Sequence, residues 1–209
     1  MIPPTIPTPR LTLIRLTDRS PTSQHLKWFH ADWTDPDATS WSVRGASTSL
    51  AQSHARLVDA LERDTLIYCV FENASTENTP GTHIGSIGLR KQDSGPTIPP
   101  LKRHAEDEGK ELDLRILGYA LFKSAWGKGY ATEAAQGLLD AYAASVAQEK
   151  EKGDKVFYVE AGVDEENQGS WRVVGKLGFE KVGFRREEEA VFLGGKWRTE
   201  GYWVFGKYI

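Results

Sequence analysis

The sequence contains a single cysteine, Cys69, among its 209 residues. A disulfide framework needs paired cysteines, and a cysteine–histidine metal site needs closely spaced ligands, so the sequence predicts neither. Cys69 lies in the apolar run TLIYCVFE, and this setting favours a core residue over an acyl-enzyme nucleophile. The five histidines show no ligand spacing either. We therefore expect no metal ion.

Long apolar runs and a strong excess of one charge are also lacking. No stretch approaches the roughly 20 apolar residues that cross a bilayer, and the start MIPPTIPTPR has no apolar core of the signal-peptide kind. A formal net charge of -3 gives no general reason to expect nucleic-acid binding. We expect a cytoplasmic, or nuclear, protein that binds neither nucleic acid nor membrane, in which any anionic ligand is held locally.

Length and composition predict one domain. A chain of 209 residues with 39% hydrophobic content can bury about 70% of its unfolded surface in a single core. Four prolines among residues 1–9 predict a flexible tail, followed by one domain over residues 10–209. Residues 92–111 carry three prolines, several charges and few apolar side chains. We interpret them as a solvated insertion in that domain rather than a second domain.

Periodicity predicts alternating strands and helices. Alternation with a period of two indicates strands, and apolar residues three or four apart indicate helices. In ELDLRILGYALF, Gly118 indicates a β-bulge or a close approach by another group. The predicted strands are RLTLIRL, TLIYCVFE, THIGSIGLRKQ, ELDLRILGYALF, KVFYVEAGV and a terminal hairpin joined through GG; the helices lie in SPTSQHLKWFHADW, STSLAQSHARLVDALER, a long segment from Ala131, and NQGSWRVVGKLGF.

The stretch SAWGKGYATEA places Gly127 and Gly129 between a strand and a helix. The free N–H groups and the positive end of the helix dipole at such a junction form a ready site for phosphate. A dinucleotide fingerprint is excluded because Thr132 stands where its third glycine belongs, and no Walker loop is present. A tight turn without a ligand remains the alternative.

Two segments together resemble a known family. LGYALFKSAWGKGYATEA, followed some forty residues later by NQGSWRVVGKLGF, is similar to the two signature segments of the GNAT superfamily of acyl-CoA-dependent N-acetyltransferases. The residues of these segments resemble those of the branch that acetylates the amino termini of ribosomal proteins. The resemblance covers residues 10–209 in element order. It implies an α/β fold whose mixed, mostly antiparallel sheet splays after its fourth strand, is flanked by about four helices, and holds the pantetheine arm of acetyl-CoA in the wedge.

The resemblance also implies binding residues. Backbone groups near Leu121 and Phe122 should bind the pantetheine amides, the Thr132 hydroxyl should help at the pyrophosphate, and Asn167 and Ser170 should face the sulfur. Trp126 departs from the polar residue that the family usually has at its position. The phosphate loop falls on Trp126, Gly127, Lys128, Gly129, Tyr130 and Ala131.

The chemistry requires proton transfer. An α-amine with a pKa of about 7.7 to 8.0 is mostly protonated at neutral pH, so a base is needed. Glu160 is the candidate base, with a solvated strand glutamate as the alternative. Backbone N–H groups near Tyr119 and Leu121, on the strand for which a bulge is expected, are candidate oxyanion donors.

The departing thiolate also needs a donor. The family's usual tyrosine position holds Val174, which leaves Ser170 as the candidate donor. A helix-capping serine is the alternative reading, and in that case Tyr119 or an ordered water would donate.

The segment WFHADWTDPDATSW is acidic and aromatic. Its carboxylates are candidates for receiving a cationic amine beside its indole rings. A solvated loop with aromatic side chains packed inward is the alternative. The residues concerned are Asp32, Asp35, Asp37, Trp28, Trp33 and Trp41.

These features predict an N-acetyltransferase that moves acetyl from acetyl-CoA to a primary amine, by direct attack in a ternary complex. The acceptor is a protein N-terminus or a small-molecule amine. A non-catalytic acyl-CoA-binding or regulatory domain of the same fold is the alternative. The sequence leaves the acceptor, the acyl-chain preference and the oligomeric state open.

Overall fold

The computed structural model describes residues 1–74, 80–100, 107 and 109–209. No helix in these ranges is long and apolar enough to cross a membrane. The elements, in chain order, are β1 (Thr5–Pro7), β2 (Leu11–Arg15), α1 (Gln24–Thr34), α2 (Leu50–Glu62), β3 (Leu66–Asn73), β4 (Pro80–Lys91), β5 (Glu111–Leu121), α3 (Tyr130–Lys152), β6 (Lys155–Val163), α4 (Gln168–Lys176), β7 (Glu180–Arg186), β8 (Val191–Leu193), β9 (Lys196–Arg198) and β10 (Gly201–Tyr208).

Eight strands form one sheet in the order β1-β2-β3-β4-β5-β6-β10-β7. The pair β5–β6 is parallel, and the other neighbours in this sheet are antiparallel. Strands β8 and β9 form a separate two-stranded hairpin. This arrangement, with four α-helices, confirms the predicted fold class.

The sheet opens between β5 and β6. Their parallel pairing begins at Glu111↔Lys155 and ends at Ile116↔Glu160. Beyond this point β5 stays paired with β4 as far as Leu121, whereas β6 stays paired with β10 as far as Val163. The two strands therefore diverge and leave a wedge between them, as predicted. The resemblance implied that the sheet opens after its fourth strand. It opens after the fifth strand of the chain because β1 is an additional strand.

Helices cover both faces of the sheet. Helices α3 and α4 pack on one face, in a cluster that includes Leu117 and Leu121 of β5 together with Phe157, Val159 and Ala161 of β6. Helices α1 and α2 pack on the other face, through Leu26, Phe29 and Leu57, against Ile67, Cys69 and Phe71 of β3. Each fully buried aliphatic or aromatic side chain contributes about 1.5–3 kcal/mol of transfer free energy. The burial of Cys69 confirms its assignment to the core.

The ends of α3 and α4 follow local sequence signals. Gly129 precedes α3 and Gly153 follows it, both with φ near 81°, a conformation that glycine adopts without strain. Asn167 caps α4 by accepting a hydrogen bond from the Ser170 N–H. Gly178, with φ of 73°, follows the last turn of α4. These boundaries confirm the predicted helices.

The prediction of a flexible tail over residues 1–9 is wrong. Residues Thr5–Pro7 form β1 and pair with β2 in antiparallel register. Ile2 and Ile6 are 7% and 6% exposed and belong to the main core cluster. The prolines are compatible with a strand because β1 lies at the edge of the sheet, where an N–H can go unpaired.

The described part of the predicted insertion is packed rather than solvated, which corrects that prediction. Within residues 92–100, the Gln92 N–H donates to the Leu114 carbonyl over 2.9 Å, and the Ile98 side chain lies over Gly183. The Thr97 N–H donates to the carboxylate of Glu160. Residues 101–106 and 108 of the insertion lie outside the described residues. Gly183 leaves space for the Ile98 side chain. The two residues are too far apart in sequence for local patterns to predict this contact.

Two strand details also differ from prediction. The register between β4 and β5 is continuous through Gly118, so the expected bulge in β5 is absent. Irregular pairing occurs instead between β3 and β4, beside Val70 and Phe71, and between β7 and β10, beside Val204 and Phe205. Gly194 and Gly195 join only the short strands β8 and β9, whereas the long terminal pair is β7 with β10.

Candidate active site

The strand-to-helix loop at the end of β5 exposes a run of backbone donors. Gly127 and Gly129 have φ of 75° and 81°, values in the left-handed region that side chains rarely adopt. Within the described part of the chain, no N–H group from Gly127 to Thr132 donates a hydrogen bond to another protein group. These groups lie at the positive end of the α3 dipole. The arrangement suits the predicted phosphate loop, including Lys128, Tyr130 and Ala131.

The N-terminal segment holds this loop in place. The Arg10 guanidinium donates from Nη1 to the Lys128 carbonyl over 3.0 Å and from Nε to Glu133 Oε2 over 2.6 Å. It also lies 4.7 Å from the centroid of the Tyr130 ring. Partial burial of Glu133 raises its pKa, but hydrogen bonds from Thr8 and Arg10 outweigh this effect and hold the pKa below the usual value. Sequence reasoning missed Arg10 because the preceding residues were assigned to a tail.

A cavity of about 560 Å³ opens beside the same loop. It offers an arginine, a carboxylate, an amide and a phenol to a polar ligand next to the free N–H groups. The lining residues are Arg10, Glu72, Asn73, Ala74, Gly81, Thr82 and Tyr130.

The side chain of Trp126 folds back onto the strand that precedes the loop. Its Nε1–H donates to the Leu121 carbonyl over 2.7 Å. The Phe122 N–H donates to the Ile84 carbonyl over 3.0 Å, so it has no proton to offer a pantetheine amide. The Phe122 N–H therefore cannot make this contact, which stays a prediction for the other backbone groups near Leu121 and Phe122. The Leu121 carbonyl keeps a second lone pair and remains a candidate.

Tyr119 and Ser170 meet across the wedge. The Tyr119 hydroxyl, on β5, donates to Ser170 Oγ, on α4, over 2.9 Å. Burial raises the pKa of Tyr119, and the hydrogen bond to Ser170 offsets only part of that rise. The phenol is therefore protonated at neutral pH and can serve as a proton donor.

Ser170 does not cap α4. The cap is the Asn167 side chain, whose Oδ1 accepts from the Ser170 N–H over 3.1 Å. The Asn167 Oδ1 therefore serves the helix, and the position of Asn167 facing the sulfur stays a prediction. Val174, at the family's tyrosine position, is 1% exposed and packs in the core.

Glu160 lies on the opposite face of the sheet from this pair. Val159 and Ala161, its neighbours in β6, belong to the hydrophobic cluster that packs against α3 and α4. Leu117 and Leu121, each two residues from Tyr119 in β5, belong to the same cluster. Because side chains alternate along a strand, Glu160 points toward the α1–α2 face and Tyr119 toward the α3–α4 face. The predicted base and the predicted acid therefore flank the wedge from two sides.

Glu160 is a buried carboxylate with a backbone partner. It is 1% exposed, so it is not the solvated strand glutamate of the alternative interpretation. Desolvation raises its pKa, and the Thr97 side chain and N–H lower it in part. The N–H lies 3.1 and 3.2 Å from the two carboxylate oxygens. Sequence reasoning missed Thr97 because its segment was assigned to solvent.

Two glycines follow the last paired residues of the wedge. Gly118 and Gly162 come two residues after Ile116 and Glu160, on the face of Glu160. A Cβ on Gly118 would meet no atom of the described residues within 4 Å, whereas one on Gly162 would lie 2.9 Å from the Tyr202 ring. Gly118 therefore borders open space through which a substrate can approach from the α1–α2 face.

The acidic loop does not form a cage for a cationic amine, which corrects that prediction. Asp32 is fully buried beneath the sheet. Asp35 accepts from the Ala38 N–H over 2.8 Å, and Asp37 lies 3.5 Å from Lys123 Nζ. The Asp35 and Asp37 carboxylates are thus engaged by other groups of the protein, and burial removes the Asp32 carboxylate from solvent.

The aromatic side chains of the same loop also contact protein groups. The Trp28 ring packs edge-on against Phe71, and Trp33 lies 5.2 Å from the Arg56 guanidinium carbon. Trp41 lies against Gly194 of the β8–β9 hairpin. This packing agrees with the alternative of inward-facing aromatics.

Comparisons with known proteins agree with this geometry. A family model described as an acetyltransferase (GNAT) domain matches residues 15–180. No curated protein matches the sequence at a significant level.

Solved structures share the fold at low sequence identity. A GNAT-family acetyltransferase from Bacillus anthracis is 17% identical, with a TM-score of 0.62 and 98% of each chain covered. A ribosomal L7/L12 alpha-N-protein acetyltransferase in complex with coenzyme A is 18% identical, with a TM-score of 0.64 and 98% of each chain covered. An acetyltransferase from Salmonella typhimurium, which modifies the N-terminal serine of ribosomal protein L7/L12, is 17% identical, with a TM-score of 0.63, covering 98% of this chain and 99% of that chain.

Proposed function

Because the chain belongs to the GNAT family of acetyltransferases, we propose that it transfers acetyl from acetyl-CoA to a primary amine by direct attack in a ternary complex. The observation that carries this proposal is the end of β5–β6 pairing at Ile116↔Glu160. Beyond it, the wedge has candidate proton-transfer groups on both faces. A thioester held in the wedge is then reachable by an amine from one side and by a proton donor from the other.

The proposed acetyl-CoA binding site consists mainly of backbone groups. The free N–H groups from Gly127 to Thr132 bind the pyrophosphate, and the Thr132 hydroxyl adds a further donor. The pantetheine arm then follows the unpaired edge of β5 from Leu121 toward Ile116. This placement directs the sulfur toward Ser170 on α4.

The amine side is served by Glu160. The α-amine arrives past Gly118 and loses its proton to the carboxylate, directly or through a water. Burial raises the pKa of Glu160, which brings its basicity closer to that of the amine. The Thr97 N–H holds the carboxylate without supplying a competing positive charge.

The leaving group is served by Ser170 with Tyr119. The amine nitrogen forms a bond to the thioester carbon, backbone N–H groups near Tyr119 and Leu121 stabilise the oxyanion, and the C–S bond then breaks. The thiolate takes the Ser170 hydroxyl proton, and the Tyr119 phenol returns a proton to Ser170. The proton that the ammonium loses before attack leaves to solvent through Glu160. The second proton, which the nitrogen loses as the amide forms, returns through water to Tyr119, so the cycle is balanced.

The acceptor that fits best is the α-amine of a polypeptide. Its pKa of about 7.7 to 8.0 lies well below the value of about 10.4 for a lysine amine, so a carboxylate base can deprotonate it more easily. The similarity to an acetyltransferase that modifies an N-terminal serine supports the same class. We therefore place peptide N-termini ahead of lysine side chains and small-molecule amines.

Thiol release from acetyl-CoA tests the proposal. The acceptor panel contains peptides with free N-termini, the same peptides with blocked N-termini, lysine-containing peptides and small amines. We expect release with free N-termini and none with blocked ones. Coenzyme A binding without release with any acceptor would instead identify a binding or regulatory domain.

A further inference from the structure

Three side chains from separate elements meet beneath the sheet on the α1–α2 face. They are Asp32 of α1, Cys69 of β3 and His83 of β4, and one donor atom from each lies within 4.8 Å of the other two. Asp32 and Cys69 are fully buried, and the His83 side chain is 15% exposed. The group is separate from Tyr119, Ser170 and Glu160, and the proposed reaction does not use it.

The Asp32 carboxyl group lacks the partners that a buried carboxyl requires. Within the described residues neither of its oxygens makes a hydrogen bond. Burial raises the pKa of Asp32 well above its usual value, and the nearby Ser86 hydroxyl lowers it in part without making a hydrogen bond of ordinary geometry. His83 Nε2 lies 3.3 Å from Asp32 Oδ1, but its hydrogen bond goes to the Gly85 carbonyl at 3.1 Å. Each unsatisfied buried polar group costs about 1–3 kcal/mol, so this arrangement calls for an explanation.

We propose that Asp32, Cys69 and His83 form a binding site for a divalent cation of the zinc type. Thiolate, imidazole and carboxylate are the three ligand classes that Zn²⁺ uses in proteins. A bound cation would satisfy the orphaned carboxylate and compensate the charge of two ionised ligands in a buried setting. Burial and the proximity of Asp32 raise the pKa of the Cys69 thiol. Metal binding would therefore displace protons from Cys69 and Asp32.

The dimensions permit coordination after a small contraction. Zinc bonds of about 2.0–2.3 Å place tetrahedral ligand atoms roughly 3.3–3.7 Å apart. His83 Nε2 and Asp32 Oδ1, at 3.3 Å, already meet this spacing, and donors at the 4.8 Å limit must approach by about 1 Å. Binding through His83 Nε2 would replace the hydrogen bond to the Gly85 carbonyl. The partly exposed edge of His83 provides the entry path.

The expectation of no metal ion rested on ligand spacing along the chain. It does not extend to ligands that the fold brings together from α1, β3 and β4. Aromatic rings enclose the group, since His83 lies 5.1 Å from the Phe71 ring, 5.3 Å from Phe122 and 6.5 Å from Trp28. A cation here would tie α1 to the β3–β4 hairpin.

Metal loading of the full chain tests this inference without reference to activity. Protein stripped with a chelator is titrated with Zn²⁺ and, separately, with Co²⁺. We expect one Zn²⁺ per chain, a higher melting temperature, and a thiolate-to-Co²⁺ charge-transfer band. Because Cys69 is the sole cysteine of the sequence, that band can come only from this site.

Variants locate the ligands. Cys69→Ser should abolish the charge-transfer band, and Asp32→Asn and His83→Gln should each weaken Zn²⁺ binding by at least about tenfold. His54→Gln, a change outside the group, should leave binding unchanged. Folded wild-type protein that shows no charge-transfer band with Co²⁺ would overturn the inference, as would equal Zn²⁺ affinity in the wild type and Cys69→Ser.

Discussion

The hydroxyl of Tyr119 donates a hydrogen bond to Ser170 Oγ over 2.9 Å, joining β5 to α4 across residues 51 apart in sequence. Since Tyr119 supplies the proton in this bond, the Ser170 hydroxyl proton is free to be donated elsewhere. Asn167 supplies the helix cap, so Ser170 is not needed for that purpose. This division of roles makes Ser170 testable as a proton donor separately from the stability of α4.

Ser170→Ala should reduce kcat by roughly 10- to 100-fold, a loss scaled down from that of one oxyanion donor because a thiolate leaves more readily than an alkoxide. KM for acetyl-CoA should change less, since the interaction forms mainly in the transition state. Steady-state kinetics measures both. Full kcat in a folded Ser170→Ala protein would remove the assignment.

Asn167→Ala is the control for that experiment. Removal of the cap should cost about 1 kcal/mol of unfolding free energy, whereas Ser170→Ala should cost less. Denaturant unfolding of both variants distinguishes the roles. A larger destabilisation from Ser170→Ala would identify Ser170 as a structural residue.

Gly129→Val should weaken coenzyme A binding severalfold or more. The new side chain would strain a residue with φ of 81° and crowd the backbone donors that face the phosphates. Gly153→Val is a matched control, because Gly153 has the same φ at the other end of α3. Calorimetry should show lost affinity in the first variant and unchanged affinity in the second, with both destabilised. Equal affinity in the two would contradict the phosphate-loop assignment.

The sequence predicted those parts of the site that depend on local sequence patterns. The glycines at 127 and 129 and the Asn167 cap follow from turn and capping patterns, and the loop conformation agrees with them. The site roles of Tyr119 and Ser170 rest on the family resemblance and stay predictions. The pairing of Tyr119 with Ser170 was not predicted, because it depends on how α4 docks against β5.

The missed features all depend on contacts between distant segments. Arg10 reaches Lys128 and Glu133 because β1 and β2 pair at the sheet edge, and proline content suggested a tail instead. The Thr97 N–H reaches Glu160 from a segment whose polar composition indicated solvent. Composition reports average exposure, and it does not report where a backbone N–H is needed.

Glu160→Gln should lower kcat/KM strongly and remove the acidic limb of its pH profile. Burial raises the pKa of Glu160, and a base acts only when ionised, so the wild-type rate should increase as pH rises through that value. Rate measurements from acidic to neutral pH with a peptide acceptor check this. A wild-type profile without an acidic limb would contradict the role of Glu160 as base.

The same substitution should change stability in a defined direction. The folded-state pKa of Glu160 is raised above the unfolded value of about 4.3, so the folded protein binds this proton more tightly. Its stabilising contribution is present below the unfolded pKa and is lost as pH rises through the folded pKa. Glu160→Gln should lack this loss and unfold at an equal or higher denaturant concentration than wild type at neutral pH.

Thr97→Pro should move the acidic limb to higher pH. Proline lacks the N–H that donates to the Glu160 carboxylate, and loss of a donor to the charged form raises the pKa further. Thr97→Ala is the control, since it keeps the N–H and loses only the hydroxyl, and its acidic limb should shift less than that of the proline variant. Identical profiles for the proline and alanine variants would show that this hydrogen bond does not influence the base.

The most direct test of the account compares thiol release from acetyl-CoA by the wild type, Ser170→Ala and Gly129→Val with one free-N-terminal peptide and its blocked form. The account predicts release by the wild type with the free peptide only. It further predicts a lowered kcat in Ser170→Ala and a raised KM for acetyl-CoA in Gly129→Val. Wild-type protein that binds coenzyme A but releases no thiol with any free amine would contradict it.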